Sequence, residues 1–225
     1  MPQAGQRMAR SILSGSVAAP HRPQNRLFWY QRCSWLAVME DGSILRLGEN
    51  EVLNFSLYAG KELTDQEAEQ LTAAAEKNSR RERALNLAAG KPMSRRELER
   101  KLAGWGAGEE EQAAVCDRLE ELGILNDAQY AQLVVRHYSA KGCGERKLRD
   151  ELYRRGVPRD LWEEALTQAE DPAEAIDAFV AKKLKGAAVS DPKELKKVSD
   201  ALARRGYSWS DISEALRRYG AQWED

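Results

Sequence analysis

Leu98-x3-Leu102-x3-Gly106 recurs as Leu148-x3-Leu152-x3-Gly156 and again as Val198-x3-Leu202-x3-Gly206, with 50 residues between successive glycines. Self-similarity at a fixed period marks a repeat architecture. Apolar residues four apart fall on one stripe of a helix. A glycine just past such a stripe supplies the left-handed residue that ends a helix without a steric cost. Each copy therefore predicts a helix with one buried face, stopped by glycine. Upstream of these lie first helices at Ser79–Ala89, Ala128–Ser139 and Ala173–Lys185. Downstream comes a third helix, clearest in Ile212, Ala215, Leu216 and Tyr219, spaced i, i+3, i+4, i+7. Ser94-x-x-Glu97 is a capping box, and Asp191-Pro192 places proline in a first helical turn, as Pro158 does for the third helix of the second copy. A unit of about 50 residues buries too little surface to stand alone, so the copies are expected to stack. The fold expected is mainly α: three tandem three-helix repeats in an elongated, curved array with a concave binding face.

Ahead of the repeats the pattern changes. Trp35, Ala37 and Met39 alternate with Leu36, Val38 and Glu40, Asp41-Gly42 has hairpin-turn chemistry, and Ile44-Leu45-Arg46-Leu47 reads as the return strand. Val52–Tyr58 suggests a short helix or turn ended by Ala59-Gly60. A lone hairpin is marginal, so this appendage is expected to pack on the helical part of the chain after it. The cluster Phe28-Trp29-Tyr30 suits hydrophobic packing better than base stacking. Residues 1–25 show neither helical nor strand periodicity and are expected to be a disordered tail. Their Arg-rich, acid-free composition is also that of a transit peptide, but a plain tail or a misplaced start is the preferred reading. Ser14, Gly15 and Ser16 interrupt any secretory apolar core. The expected divisions are 1–25 tail, 26–63 hairpin appendage, 64–127 first repeat with a lead-in helix, 128–171 second repeat and 172–225 third repeat.

Composition excludes several classes. Charged residues make up 32% of the 225 and hydrophobic residues 42%, a globular mixture with heavily charged outer helix faces. No stretch approaches the ~20 apolar residues of a membrane span. Net charge is −1, but the five arginines up to Met39 face no acid, leaving 30 basic against 36 acidic residues beyond. Three cysteines without a Cys-x-x-Cys spacing argue against a disulfide framework and for a reducing compartment. Two distant histidines, His21 and His137, give no zinc pattern, and no metal or other cofactor is expected. There is no phosphate-binding loop, no Gly-x-Ser-x-Gly elbow and no His-Glu-x-x-His helix. Cys116 sits on the Val115/Leu119/Leu122 side of a helix and reads as packing; Cys143, between two glycines, lacks an oriented base. The carboxylates lie among lysines and arginines and read as solvated surface. No catalysis is expected.

What remains is basic surface. Between Lys141 and Asp160 seven basic residues (Lys141, Arg146, Lys147, Arg149, Arg154, Arg155 and Arg159) face four acids. Arg154-Arg155 precedes Gly156 as Arg204-Arg205 precedes Gly206. The helix dipole alone favours each pair, but the cluster at 141–159 suits a patch facing phosphates or an acidic partner equally well.

The order and spacing of several pieces resemble the RecX family of bacterial RecA regulators. Arg83-Ala84-Leu85-Asn86-Leu87-Ala88 is similar to its opening helix, and Ser94-Arg95-x-Glu97-Leu98-x2-Lys101-Leu102 to its second. The strongest similarity is Leu119-x2-Leu122-Gly123-Ile124-Leu125-Asn126-Asp127-x2-Tyr130-Ala131, leading into Gly142-x-Gly144-x3-Leu148-x3-Leu152-x3-Gly156-Val157. It covers about residues 80–220, and Asp41-Gly42 to Gly60 resembles the β-appendage of longer members. Trp105-Gly106 departs from the basic residue more usual before that glycine, and residues 1–34 match nothing. The resemblance implies three tandem three-helix units, a cytoplasmic and monomeric regulator, and binding along the RecA–single-strand DNA filament. Hindered filament growth, strand exchange, ATP hydrolysis and SOS co-protease activity would result. Carried onto this chain, the candidate contacts to RecA and to DNA phosphates are Arg146, Lys147, Arg154, Arg155, Arg204 and Arg205. The alternative is a sequence-specific helix-turn-helix repressor built on residues 94–125, with Glu109–Leu122 as recognition helix. Glu109-Glu110-Glu111 would then set three acids where phosphates lie. A third class is a helical scaffold that binds no nucleic acid.

Overall fold

The computed structural model describes residues 10–17, 35–39, 42, 44–184 and 192–219. The chain divides into two compact units, Met1–Leu87 and Ala88–Asp225. In the first, β1 (Arg10–Val17), β2 (Trp35–Met39), β3 (Ile44–Leu47) and β4 (Glu62–Leu63) form an antiparallel sheet in the order β3-β2-β1-β4, and α1 (Glu49–Asn54) lies between β3 and β4 in sequence. The expected hairpin is β2–β3, in register from Trp35 opposite Leu47 to Val38 opposite Ile44. Gly42 has φ +80°, and its N–H donates to the Met39 carbonyl at 2.9 Å.

The sheet is wider than the sequence suggested, because β1 falls inside the expected tail. It pairs with β2 through backbone groups, Val17 opposite Trp35 and Ile12 opposite Met39, with a register shift between Ile12 and Ser14. Backbone ladders need no alternation of side chains, so Arg-Ser-Ile-Leu-Ser-Gly-Ser-Val carried no legible strand pattern. The rest of that tail, the Phe28-Trp29-Tyr30 cluster and the connection over residues 185–191 lie outside the described residues. Ala37, Met39, Leu47 and Leu63 from the sheet pack with Ala68, Leu71 and Ala75 of α2 (Asp65–Gly90), which covers the hairpin as expected.

The second unit holds three helical groups. The first has α3 (Arg95–Gly104) and α4 (Glu109–Glu121) after the end of α2; the second has α5 (Asp127–Ser139), α6 (Glu145–Arg155) and α7 (Trp162–Leu166); the third has α8 (Pro172–Leu184), α9 (Pro192–Arg204) and α10 (Trp209–Arg218). The period-50 apolar pairs are the buried stripes of α3, α6 and α9: Leu98, Leu102, Leu148, Leu152 and Leu202 are at most 1% exposed, and Val198 is 5% exposed. Leu148 and Leu152 join Tyr130, Ala131, Val134, Val135, Val157, Trp162 and Ala165 in the second core, and Val198 and Leu202 join Ile176, Val180, Ile212 and Leu216 in the third. The capping box predicted at Ser94 is present: its hydroxyl accepts from the Glu97 N–H at 3.1 Å, and its own N–H donates to the Glu97 carboxylate at 3.2 Å. The third helix of the second group is shorter than its counterparts: after Pro158 the chain makes a 3-10 turn (Arg159–Leu161) before α7. No helix among the described residues is long and apolar enough to cross a membrane.

Cys116 is buried on α4 with Val115 and Leu119, whereas Leu122 is exposed. Burial pushes the Cys116 thiol up to about 12, and Cys143 is only half-buried. A small thiol reagent at neutral pH should therefore label Cys143 in the folded chain and Cys116 only once denaturant opens the unit, since the thiolate is the nucleophile. Equal labelling rates for the two peptides, read by mass spectrometry, would contradict this packing.

Candidate partner-binding site

A helix ends in carbonyls without partners inside it and begins with N–H groups equally unserved. Both seams between the three-helix groups use this. Between the second and third groups, the end of α9 meets the start of α6. There the Gly144 N–H donates to the Arg205 carbonyl at 2.9 Å and the Arg146 N–H to the Gly206 carbonyl at 3.1 Å. The partial negative charge at the end of α9 thus lies on the partial positive charge at the start of α6. Between the first and second groups, the end of α6 meets the start of α3, where the buried Ser94 hydroxyl donates to the Arg155 carbonyl. Two flanking bonds reinforce this seam: the Arg95 N–H donates to Asp127 Oδ1 at 2.8 Å and the Tyr130 hydroxyl to Glu97 Oε2 at 3.0 Å.

Close approach at the seams needs glycine. A Cβ on Gly206 (φ +90°) would stand 2.4 Å from the Lys147 backbone nitrogen, and one on Gly144 would stand 2.4 Å from that of Tyr207. A Cβ on Gly156 (φ +69°) would lie 2.5 Å from Cδ of Arg96. Gly106 (φ +83°) has open space around it. The repeated glycine is a helix stop in all three copies and a contact surface between groups in two.

The six candidate cations all belong to α6 or to the end of α9, and the seams sort them by role. Arg146 and Arg204 are exposed and make no ion pair among the described residues. Arg205 lies with its guanidinium 4.5 Å over the Phe179 ring and donates to the Gly142 and Lys141 carbonyls at 3.3 and 3.5 Å, so it ties α9 to α8 and to the loop before α6. Lys147, Arg154 and Arg155 converge on Glu151: Lys147 Nζ is 3.4 Å and Arg154 Nη1 3.3 Å from Oε1, and Arg155 donates to Oε2. Arg155 also donates to the Tyr138 hydroxyl at 3.0 Å and lies over that ring. Arg154 keeps its side chain 69% exposed, against 23% for Arg155. Arg146, Arg154 and Arg204 therefore keep their charge in solvent, Arg155 and the exposed Arg205 tie elements of the fold together, and half-buried Lys147 pairs with Glu151.

Glu151 is the residue that composition hides. Its carboxylate is buried, not solvated. Burial alone would raise its pKa, but Arg155, Lys147 and Arg154 outweigh that and hold it below the ordinary glutamate range. The signal was present in the sequence, since Lys147, Arg154 and Arg155 stand at i−4, i+3 and i+4 from it. Arg149, counted with the basic cluster, is similarly engaged: it pairs with Glu145 at 2.7 Å and with Glu163 at 2.8 Å, linking α6 to α7.

Models of the first, second and third three-helix domains of RecX match residues 81–119, 126–166 and 169–216. Regulatory protein RecX of Pseudomonas entomophila (strain L48) is 34% identical over 129 residues, covering 57% of this chain and 83% of that protein. Regulatory protein RecX of Streptomyces coelicolor is 36% identical over 129 residues, covering 55% and 68% respectively. A crystal structure of regulatory protein RecX superposes with a TM-score of 0.67 at 18% identity, covering 93% of this chain and 99% of that one. The structure of RecX from Lactobacillus salivarius gives 0.60 at 21%, covering 65% and 98%. Those two likenesses speak for the fold alone. The three domain matches succeed one another along the chain in the order of the helical groups, and with the identity over most of a relative's length they place this chain in the RecX family of regulatory proteins.

Proposed function

We propose that this chain binds RecA and RecA–single-strand DNA filaments and lowers recombinase, ATPase and SOS co-protease activity, as a cytoplasmic monomer. The observation that carries the reading is a chain of the RecX family whose seams present Arg146, Arg154 and Arg204 outward, while their neighbours are engaged within the fold. Such cations suit acidic faces of a protein filament and the phosphates of the strand it carries. The regulator does so by occupancy and performs no chemistry of its own. The repressor reading is weaker: α4 begins with Glu109, Glu110 and Glu111, acids that the helix dipole favours and DNA phosphates repel.

Titration of RecA's single-strand-DNA-dependent ATP hydrolysis with this protein, at two salt concentrations, tests the proposal. Inhibition below stoichiometric ratio is expected, relieved by salt. The triple variant Arg146→Ala/Arg154→Ala/Arg204→Ala should require about tenfold more protein for half-inhibition, taking ~0.5 kcal/mol for each exposed charge contact. Unaltered hydrolysis at every ratio would refute the reading.

A further inference from the structure

The seam between α3 and α6 opens into a groove of about 380 Å³, whose lining includes Arg96, Tyr153, Pro158, Arg159 and Trp162. None of these belongs to the cation set above. Tyr153 is 63% exposed on α6, one residue beyond the fully buried Leu152. Arg96 is exposed and its aliphatic stem crosses Gly156, the position where a side chain would collide with it. Arg159 is exposed and holds its guanidinium 5.7 Å over the Trp162 ring. That ring is fixed in turn, because its indole N–H donates to the Val157 carbonyl at 3.0 Å.

The acids of the groove are already engaged. Glu99 is bridged to Arg95 at 2.9 Å, and Asp127 accepts the Arg95 N–H at 2.8 Å. Arg95 itself is shared among Glu99, Asp117 and Glu120. Arg96 and Arg159, by contrast, make no ion pair among the described residues. What the groove presents is thus one aromatic ring open to solvent beside two guanidinium groups without carboxylate partners. A ligand that complements both has flat aromatic faces and regularly spaced negative charge. Unpaired nucleotides have both: a base face to stack on tyrosine and phosphates to take bidentate hydrogen bonds from arginine. In a duplex the base faces are stacked on one another and closed to the ring.

We propose that this groove is a single-strand nucleic-acid site, in which Tyr153 stacks on a base and Arg96 and Arg159 hold the flanking phosphates. The site deepens the filament reading by giving the DNA strand its own contact on the regulator, and its first readout needs no RecA.

The full chain is titrated into a fluorescently labelled oligothymidine and, separately, into a duplex of equal length, with anisotropy as the readout. Tighter binding of the single strand is expected. Tyr153→Ala should weaken it about tenfold or more, and Tyr153→Phe should leave it nearly intact, since stacking needs the ring. Arg96→Gln and Arg159→Gln should each reduce the log–log salt slope by about 0.7. The variants' melting temperatures, compared with the parent's, separate a lost contact from a lost fold. No single-strand binding, equal affinity for duplex, or an unchanged affinity in Tyr153→Ala would overturn the site. So would a Tyr153→Ala variant that loses only direct RecA capture, which would make the groove a peptide site. If RecA hydrolysis is still inhibited when oligothymidine binding is absent, the nucleic-acid site falls and the regulatory function stands.

Discussion

Gly206→Ala should destabilise the second unit by about 3 kcal/mol, while Gly106→Ala costs only about 1 kcal/mol. The two glycines close equivalent helices at nearly the same backbone conformation, φ +90° and +83°. A residue with a Cβ pays roughly 1 kcal/mol for the left-handed conformation in either place. At Gly106 nothing else happens, because the space around the new methyl is open. At Gly206 that methyl would stand 2.4 Å from the Lys147 nitrogen and 2.7 Å from its Cβ, a collision no rotamer change can relieve. Overpacking of this kind adds about 2 kcal/mol. It also forces apart the Gly206 carbonyl and the Arg146 N–H, the bond that joins α9 to α6. Gly156→Ala should fall between the two, since what it meets is the side chain of Arg96, whose outer carbons can move while its Cβ cannot. Urea unfolding of the three variants checks the ranking, and hydrogen exchange of the α9 and α10 amides shows whether the third group is the part released. Equal losses at Gly106 and Gly206 would mean that the seam contributes nothing.

Replacing Glu151 should cost about as much, ~3 kcal/mol. Glu151→Gln keeps the shape and removes the charge that holds Lys147, Arg154 and Arg155 together. Removing one partner of a buried ion pair typically costs 3–5 kcal/mol. The lower end applies here because Arg154, being largely exposed, can turn to water. The same carboxylate predicts a pH dependence. Its folded-state pKa lies below the unfolded one, so its stabilisation is complete above the ordinary glutamate range and is lost as pH falls through the folded value. Acidification should therefore shift the urea midpoint of the parent more than that of Glu151→Gln, and parallel pH profiles would refute the assignment. Glu151→Leu combined with Arg155→Met should recover part of the loss, because apolar replacement of both partners removes the desolvation penalty along with the pairing.

The predicted helices and their buried stripes were legible because a helix is a local object. Leu148 and Leu152 share a face whatever surrounds them, and Ser94 with Glu97 caps its own helix. The β2–β3 hairpin was legible for the same reason, from alternation and a turn glycine. β1 was not, since its pairing runs through the backbone to a strand at least 18 residues further on, and its own side chains keep no period. Among the candidate cations, Arg155 and Arg205 looked like Arg154 and Arg204 because neighbours in sequence at a helix end have the same composition, whereas the partners that engage Arg155 and Arg205, Tyr138 and Phe179, lie on other helices. Tyr153 was passed over, and Arg159 was counted in the basic cluster but not among the named contacts, because their neighbour Arg96 lies 57 and 63 positions away in the chain.

By itself the sequence determined the helical groups, their period, the residues that face each core and the glycines that stop the helices, all of which arise from interactions within a few turns of chain. Only the tertiary structure decided what the ends of those helices do. It set the end of α6 on the start of α3 and the end of α9 on the start of α6, so that partnerless carbonyls and N–H groups satisfy one another across seams. The physical reason is distance along the chain: which helix end meets which depends on packing about sixty residues away, and that packing decides which arginines are engaged at a seam and which are left to solvent.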